Sequence, residues 1–405
     1  MTVKITKPAS ITQSDVNALN RGVGVAGNRI GAYEAKDSVF RLISAGRKNL
    51  IINGAMNLAQ RGTSESAIST DGYYTADRWR IEGTTTGDID MAVETSDTPS
   101  GFGSLLKLSR SSSQTLDAGD FLALVQKVEG NKLQELEYGS DAPKDLTISF
   151  WVKTNVPGQY VINLYTEDTG QNRIITKPYY VQSSDVWEKH SITFPGDDYG
   201  TLNNDTGVGM YVQFCLRAGT DKTTGTPCDK EWVSFSNTRY FAGQRADLTY
   251  GSGGFFKITG IQMEVGSVAT PYEYLSYDQE LHDCQRYFEK SCQPGVILTQ
   301  GSTTTTFGTA DTTKLCQLAI WSHPTLIPFT VEKRAIPTVT KYGNSQGYWA
   351  YLSAGLSGPS GISTPTFHQN VLSTGATTKY ISVNNQVSTS PLWGLFGNWT
   401  ADAEL

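Results

Sequence analysis

Between Leu50 and Val265 apolar and polar residues alternate in short runs. Ser149-Phe150-Trp151-Val152-Lys153 and Tyr211-Val212-Gln213-Phe214-Cys215 are the cleanest, and each is bounded by Gly, Asn, Asp or Pro. A period of two puts successive side chains on opposite faces of an extended chain, so such runs predict half-buried strands. The pattern predicts strands over residues 50–52, 56–60, 78–81, 89–93, 104–109, 121–128, 146–152, 160–165, 187–194, 209–216 and 255–264. With no long helical period between them, they predict a mainly β protein built on a jelly-roll-like antiparallel β-sandwich and exclude a parallel α/β sheet.

Helical signals are few. Thr12-Gln13-Ser14-Asp15 is a helix start ahead of Val16 and Leu19, and residues 33–43 carry Val39, Phe40, Leu42 and Ile43 on a second amphipathic stretch. Residues 1–49 hold too little apolar material for a core of their own. They read either as a flexible leader or as an arm that orders on docking to a larger assembly through Val16, Leu19, Val39 and Phe40. Residues 277–290 form the best helical stretch, with Tyr277, Leu281, Cys284 and Phe288 on one face. The expected organisation is an arm (1–49), a sandwich (50–275), a linking helix (276–291) and a second, smaller β-sandwich (292–405). Strands in the last part are expected at 295–298, 315–321, 338–342, 347–352, 367–372, 378–383 and 393–399.

Composition sharpens this picture. Forty Gly in 405 residues, with 20 Tyr, 15 Phe and 8 Trp, suit strands joined by tight turns and disfavour a helical bundle. A net charge of −6 removes the positive field that non-specific nucleic-acid binding requires. No run is long and apolar enough for a membrane span, and the first twenty residues lack the apolar core of a signal peptide. The five cysteines are odd in number and irregularly spaced, so they read as reduced thiols, mostly buried.

Five ordered motifs carry a family resemblance: Asn49-Leu-Ile-Ile-Asn-Gly-Ala-Met-Asn-Leu-Ala-Gln-Arg-Gly62, Tyr74-Thr-Ala-Asp-Arg-Trp79, Ser149-Phe-Trp-Val-Lys153, Ile261-Gln-Met-Glu-Val-Gly-Ser-Val-Ala-Thr-Pro-Tyr-Glu273 and Cys284-Gln-Arg-Tyr-Phe288. Over roughly residues 49–290 the chain resembles tail-fibre and related virion proteins of tailed bacteriophages. The resemblance implies a carbohydrate-binding-module-like sandwich on a virus particle, made in the host bacterial cytoplasm. It also implies a homotrimer, with other virion proteins gripped by the N-terminal arm and host surface polysaccharide or lipopolysaccharide as the outward partner. A purely structural capsid, collar or decoration role and a glycan depolymerase stand as alternatives.

Locally, Asn53-Gly54 reads as a tight turn between two strands, and Asp77 and Arg78 as a charge pair over a buried Trp79. Aromatic residues crowd the last hundred positions, and Tyr348, Trp349 and Trp393 are the expected glycan contacts, because exposed rings stack on the apolar faces of sugars. No HExxH or GxxxxGK[ST] motif occurs, and no GxGxxG stands between a predicted strand and a helix. Acidic pairs at Asp88/Asp90, Asp197/Asp198 and Asp402/Glu404 are the available carboxylates for hydrolysis, and the first two pairs also for calcium. The reading is a non-enzymatic protein with no cofactor, no metal site and no catalytic residue.

Overall fold

The computed structural model describes residues 47–83, 89–110, 115–250, 253–293, 298, 325–342, 350–353, 366–367, 372–385, 392–396 and 398–405. The described residues from Asn49 to Leu405 belong to one compact unit. Val16, Leu19, Val39 and Phe40 lie outside the described residues.

The protein is mainly β. Thirteen strands build two antiparallel sheets: β1 (Ser64–Ile68), β2 (Gly72–Tyr73), β3 (Arg80–Gly83), β4 (Ile89–Glu94), β5 (Leu105–Arg110), β6 (Phe121–Glu129), β7 (Leu146–Thr154), β8 (Gly158–Thr166), β9 (Arg173–Val181), β10 (Glu188–Phe194), β11 (Val208–Ala218), β12 (Val233–Ser234) and β13 (Phe255–Val265). One sheet runs β1-β4-β5-β13-β7-β10 and the other β12-β9-β8-β11-β6-β3-β2. Their facing sides share one core: Phe150 of the first sheet meets Phe214 of the second edge to face at 5.2 Å, and Tyr160 meets Phe256 at 5.5 Å.

Residues 50–52 and 56–60, expected as strands, are irregular. Side chains take the place of a neighbouring strand there. Asn49 Oδ1 accepts from Ile51 N at 3.0 Å, Gln126 Oε1 from Ile52 N at 2.8 Å, Asn53 Oδ1 from Leu58 N at 3.1 Å, and Asp77 Oδ1 from Gln60 N at 2.9 Å. With donors satisfied this way the segment can be buried without pairing. Asn53 supplies the left-handed residue of the turn (φ 57°), while Gly54 is required by contact: a Cβ there would sit 2.0 Å from the Ile261 carbonyl oxygen. Trp79 is fully buried and its Nε1 donates to Asn53 O at 3.0 Å. Asp77 and Arg78 do not pair with each other, because Asp77 binds Gln60 and Arg78 reaches Glu404.

The helix spans Tyr277–Gln285, opened by a Ser276/Gln279 capping box. It ends before its expected limit because the next carbonyls have other donors: Arg334 N bonds Arg286 O at 3.2 Å and Ala403 N bonds Tyr287 O at 2.7 Å. Tyr277 is exposed instead of sharing a buried face with Cys284, and Phe288 lies in a strand, β14 (Phe288–Lys290).

Eight further strands follow: β15 (Thr325–Pro328), β16 (Thr338–Tyr342), β17 (Ala350–Ser353), β18 (Thr366–Phe367), β19 (Leu372–Ala376), β20 (Tyr380–Asn385), β21 (Leu392–Phe396) and β22 (Asn398–Asp402). Together with β14 they make three antiparallel three-stranded sheets, β14-β22-β16, β15-β20-β19 and β18-β17-β21. Trp399 and Ala401 of β22 pack with Ile327, Phe329 and Ile381 in a small core. Beneath it Lys333 Nζ meets Glu289 Oε2 at 2.6 Å with both side chains fully buried.

β14 and β22 are also tied to the sandwich by ion pairs. Arg61 binds Asp402 at 2.9 Å and Glu404 at 3.3 Å, and Arg286 binds Glu129 at 2.8 Å. Burial pushes the Glu129 carboxyl up, but hydrogen bonds from Arg286 and Tyr287 outweigh it and hold the group below the usual carboxylate range.

Candidate functional site

The side of the seven-stranded sheet that faces away from the core is built by the period-two alternation of its strands. Val212, Phe214, Ile162 and Leu164 point into the core, which sends Tyr211 and Gln213 of β11 and Asn163 and Tyr165 of β8 to the opposite face. Register sets them side by side: Tyr211 lies opposite both Tyr165 and Lys127, and Gln213 opposite both Asn163 and Val125.

The segment between β11 and β13 folds back over part of this face. Phe241 is buried on Ala123, Val125, Val161 and Cys215, and Tyr240 O accepts from Asn163 Nδ2 at 2.7 Å. The row Lys127–Tyr211–Tyr165 remains half-buried at the surface. Here the rings form a cluster: Tyr165 to Tyr211 at 5.3 Å, Tyr165 to Phe235 at 5.3 Å, and Phe235 to Tyr240 at 5.5 Å between centroids. Lys127 Nζ stands 4.8 Å over the Tyr211 ring.

Polar groups frame the rings. Glu167 Oε1 accepts from Tyr211 Oη at 2.5 Å and its Oε2 from Tyr165 Oη at 3.3 Å. Glu82 lies 3.1 Å from Arg80 Nε and 3.5 Å from Lys127 Nζ, and Gln213 Nε2 donates to Tyr240 Oη at 2.8 Å. Burial, then the adjacent Glu167 charge, pushes the Tyr165 hydroxyl up to about 12; burial also raises Tyr211, helped by its hydrogen bond to Glu167. Both phenols are therefore neutral donors at physiological pH. Asn163 Oδ1 and Gln213 Oε1 are buried and take no hydrogen bond from the described residues. Arg80 and Lys127 face Glu82 and Glu167 beside Tyr165 and Tyr211, and Lys222 Nζ lies 5.7 Å over the Tyr240 ring, so the face offers ring surface and hydrogen bonds with its charges largely compensated.

Tyr348 and Trp349 lie outside the described residues, and Trp393 is placed by its backbone in β21. Of the acidic pairs, Asp88 lies outside the described residues and Asp90 accepts from Ala67 N at 3.0 Å. Asp197 is buried and holds Arg173 through two bonds of 2.6 and 2.9 Å, and Asp402 and Glu404 hold Arg61. Asp77, Asp197 and Glu404 thus have partners that fix the fold. Among the described residues no cluster of His, Cys, Asp or Glu could hold a metal ion, and no helix is long and apolar enough to cross a membrane. Cys215, Cys228 and Cys284 are free and buried, and burial drives the Cys215 and Cys284 thiols upward.

Tyr165, Tyr211, Lys127 and Glu167 escape the sequence reading. Their signal is the alternation itself, which carries aromatic and polar residues on the face opposite Val212 and Phe214.

No protein-family model and no curated protein sequence matches the chain. Among solved structures it is similar to the enzymatically active domain of bacteriophage CBA120 tailspike protein 4, at 9% identity and TM-score 0.29, over 54% of this chain and 21% of that one. It is also similar to a family 11 carbohydrate-binding module from Clostridium thermocellum, at 12% identity and TM-score 0.27, over 52% of this chain and 99% of the module. The baseplate tripod of bacteriophage Tuc2009 matches at 13% identity and TM-score 0.25, over 57% of this chain and 60% of that one. Likeness at this level transfers no property to this chain.

Proposed function

We propose that this chain is a non-enzymatic virion protein of a tailed bacteriophage, a tail fibre whose N-terminal arm attaches to the particle and whose sandwich binds host surface glycan. The observation that carries the glycan reading is the half-buried Tyr165–Tyr211–Phe235–Tyr240 cluster, framed by Glu167, Lys127 and Glu82. Rings offer flat apolar surface to the C–H faces of a pyranose, and the neighbouring amides and carboxylates accept its hydroxyl protons. The five ordered motifs support the virion reading, and a homotrimer would multiply weak single-site contacts through effective concentration.

The test is retention of the full chain on immobilised O-chain and capsular polysaccharides from a panel of bacteria, beside the double variant Tyr165→Ala/Tyr211→Ala. Saturable retention by the native chain, loss in a variant that still melts cooperatively, and no release of reducing ends are the expected results. Equal retention by the variant overturns the site, and retention by no polysaccharide overturns the glycan reading. Release of reducing ends would make the chain an enzyme.

A further inference from the structure

A second recess lies where the sandwich meets β14, β22 and β16. It is an open groove of about 580 Å³, within the size range of small-ligand sites. Its floor is one face of the three-stranded sheet. Register sets Phe288, Asp402 and Thr338 in one row and Lys290, Thr400 and Thr340 in the next, while Ala401 and Trp399 turn to the core beneath. The wall opposite is Gln60 and Arg61 of the irregular segment before β1.

Three features define what fits. The charges of the lining cancel: Arg61 meets Asp402 at 2.9 Å and Glu404 at 3.3 Å, so the two cations Arg61 and Lys290 face two carboxylates. The groups are held in place before any ligand arrives, because Lys290 donates to Gln60 O and the Arg61 guanidinium lies 3.8 Å over the Phe288 ring. The remaining surface is hydroxyl-rich, with Thr338 and Thr340 exposed and Thr400 beside them. A charged ligand gains no net field here, and an apolar one would cover these polar groups without pairing them. A neutral, hydroxyl-rich chain finds a fixed set of donors and acceptors at little ordering cost.

The groove is joined to the aromatic face through one ring. Arg61 and Arg80 both lie 5.3 Å from the Tyr73 centroid, and Arg80 continues to Glu82 and Lys127. We propose that the groove is a second saccharide subsite, taking an uncharged stretch of the same polysaccharide that the aromatic face holds. The proposal rests on the glycan reading above. Its consequence is a preference for long chains, since a second contact on one ligand acts at high effective concentration.

The experiment is titration calorimetry of the full chain with size-fractionated oligosaccharides, from two to ten sugars, cut from the polysaccharide retained in the screen. The native chain is expected to gain about tenfold or more in affinity between short and long fragments. Thr340→Arg, which fills the groove from an exposed strand position, is expected to reduce the long-fragment affinity to that of the short ones, while Thr340→Ser keeps the gain. Tyr165→Ala is expected to weaken every length. A flat length series, or an unaltered one in a cooperatively melting Thr340→Arg variant, overturns the groove while leaving the aromatic face standing. No binding at any length, with no polysaccharide retained, overturns both.

Discussion

Arg78 and Glu404 form an ion pair inside the protein although 326 positions separate them, with side chains only 1% and 4% exposed. The Arg78 guanidinium also stacks 3.5 Å from the Tyr287 ring and donates to Lys127 O at 2.6 Å. One side chain thus binds the sandwich, the end of the helix segment and the stretch after β22. Removing one member of such a pair leaves the other charge buried without compensation. Glu404→Ala should lower unfolding stability by about 3–5 kcal/mol. Adding Arg78→Met should cost less than the sum of the two single changes. A denaturant double-mutant cycle checks this, and strict additivity would refute the coupling.

Asp77 gives a pH signature. Burial raises its carboxyl to about 6 against the partial relief from Arg61 and Gln60. A folded-state value above the unfolded one of about 4 means that the folded protein binds the extra proton. The stabilising contribution is complete below about pH 4 and is lost as pH rises to about 6. The native chain should therefore carry a downward stability component across that window, of about 3 kcal/mol. Asp77→Asn should lack that component in denaturant titrations at stepped pH.

At the aromatic face the ring and the hydroxyl can be separated. Tyr211→Phe removes only the donor to Glu167 and should keep most of the affinity for the retained polysaccharide. Tyr211→Ala should lower it by about tenfold, near the upper end of what one ring contact contributes. Equal losses in calorimetry would assign the effect to the hydroxyl and reject stacking.

Gly54 and Gly103 make a matched contrast. A Cβ at Gly54 meets the Ile261 carbonyl oxygen at 2.0 Å, whereas at Gly103 it meets nothing within 4 Å. Gly54→Ala should destabilise by about 1–3 kcal/mol or more, while Gly103→Ala should be neutral or slightly stabilising. Thermal melts of the two variants decide it.

Strands such as β4, β7 and β11 were legible because one of their faces is apolar and the other is not. β9 was not, because Ile174-Ile175 and Tyr179-Tyr180 break the alternation and Pro178 argues against a strand. The proline is tolerated because β12 pairs only with Arg173 and Ile174, which leaves the β9 edge open at Pro178. The opposite error, strands at 50–52 and 56–60, arises because apolar content says nothing about which donors distant side chains will satisfy; Gln126 is 74 positions from Ile52. The aromatic face was half legible. Alternation puts Tyr211 and Gln213 together, but only the fold shows that the segment carrying Tyr240 and Phe241 covers one part of that face and leaves Tyr165 at its edge.

The place of β22 between β14 and β16 bears on how the chain is made. Ser291 and Trp399, bonded where these strands meet, are 108 residues apart, so at ordinary elongation rates a ribosome needs about five to twenty seconds to pass from one to the other. Through that interval β14 has no partner strand, although Gln60, the acceptor for Lys290, is already made and Lys333, the ion-pair partner of Glu289, is made during it. The β-sandwich can close during synthesis, whereas the junction with Gln60, Arg61 and Arg78 is sealed only after β22 has emerged. A nascent chain stalled before Asn398 would present an unpaired strand edge, a target for chaperones or for a neighbouring nascent copy.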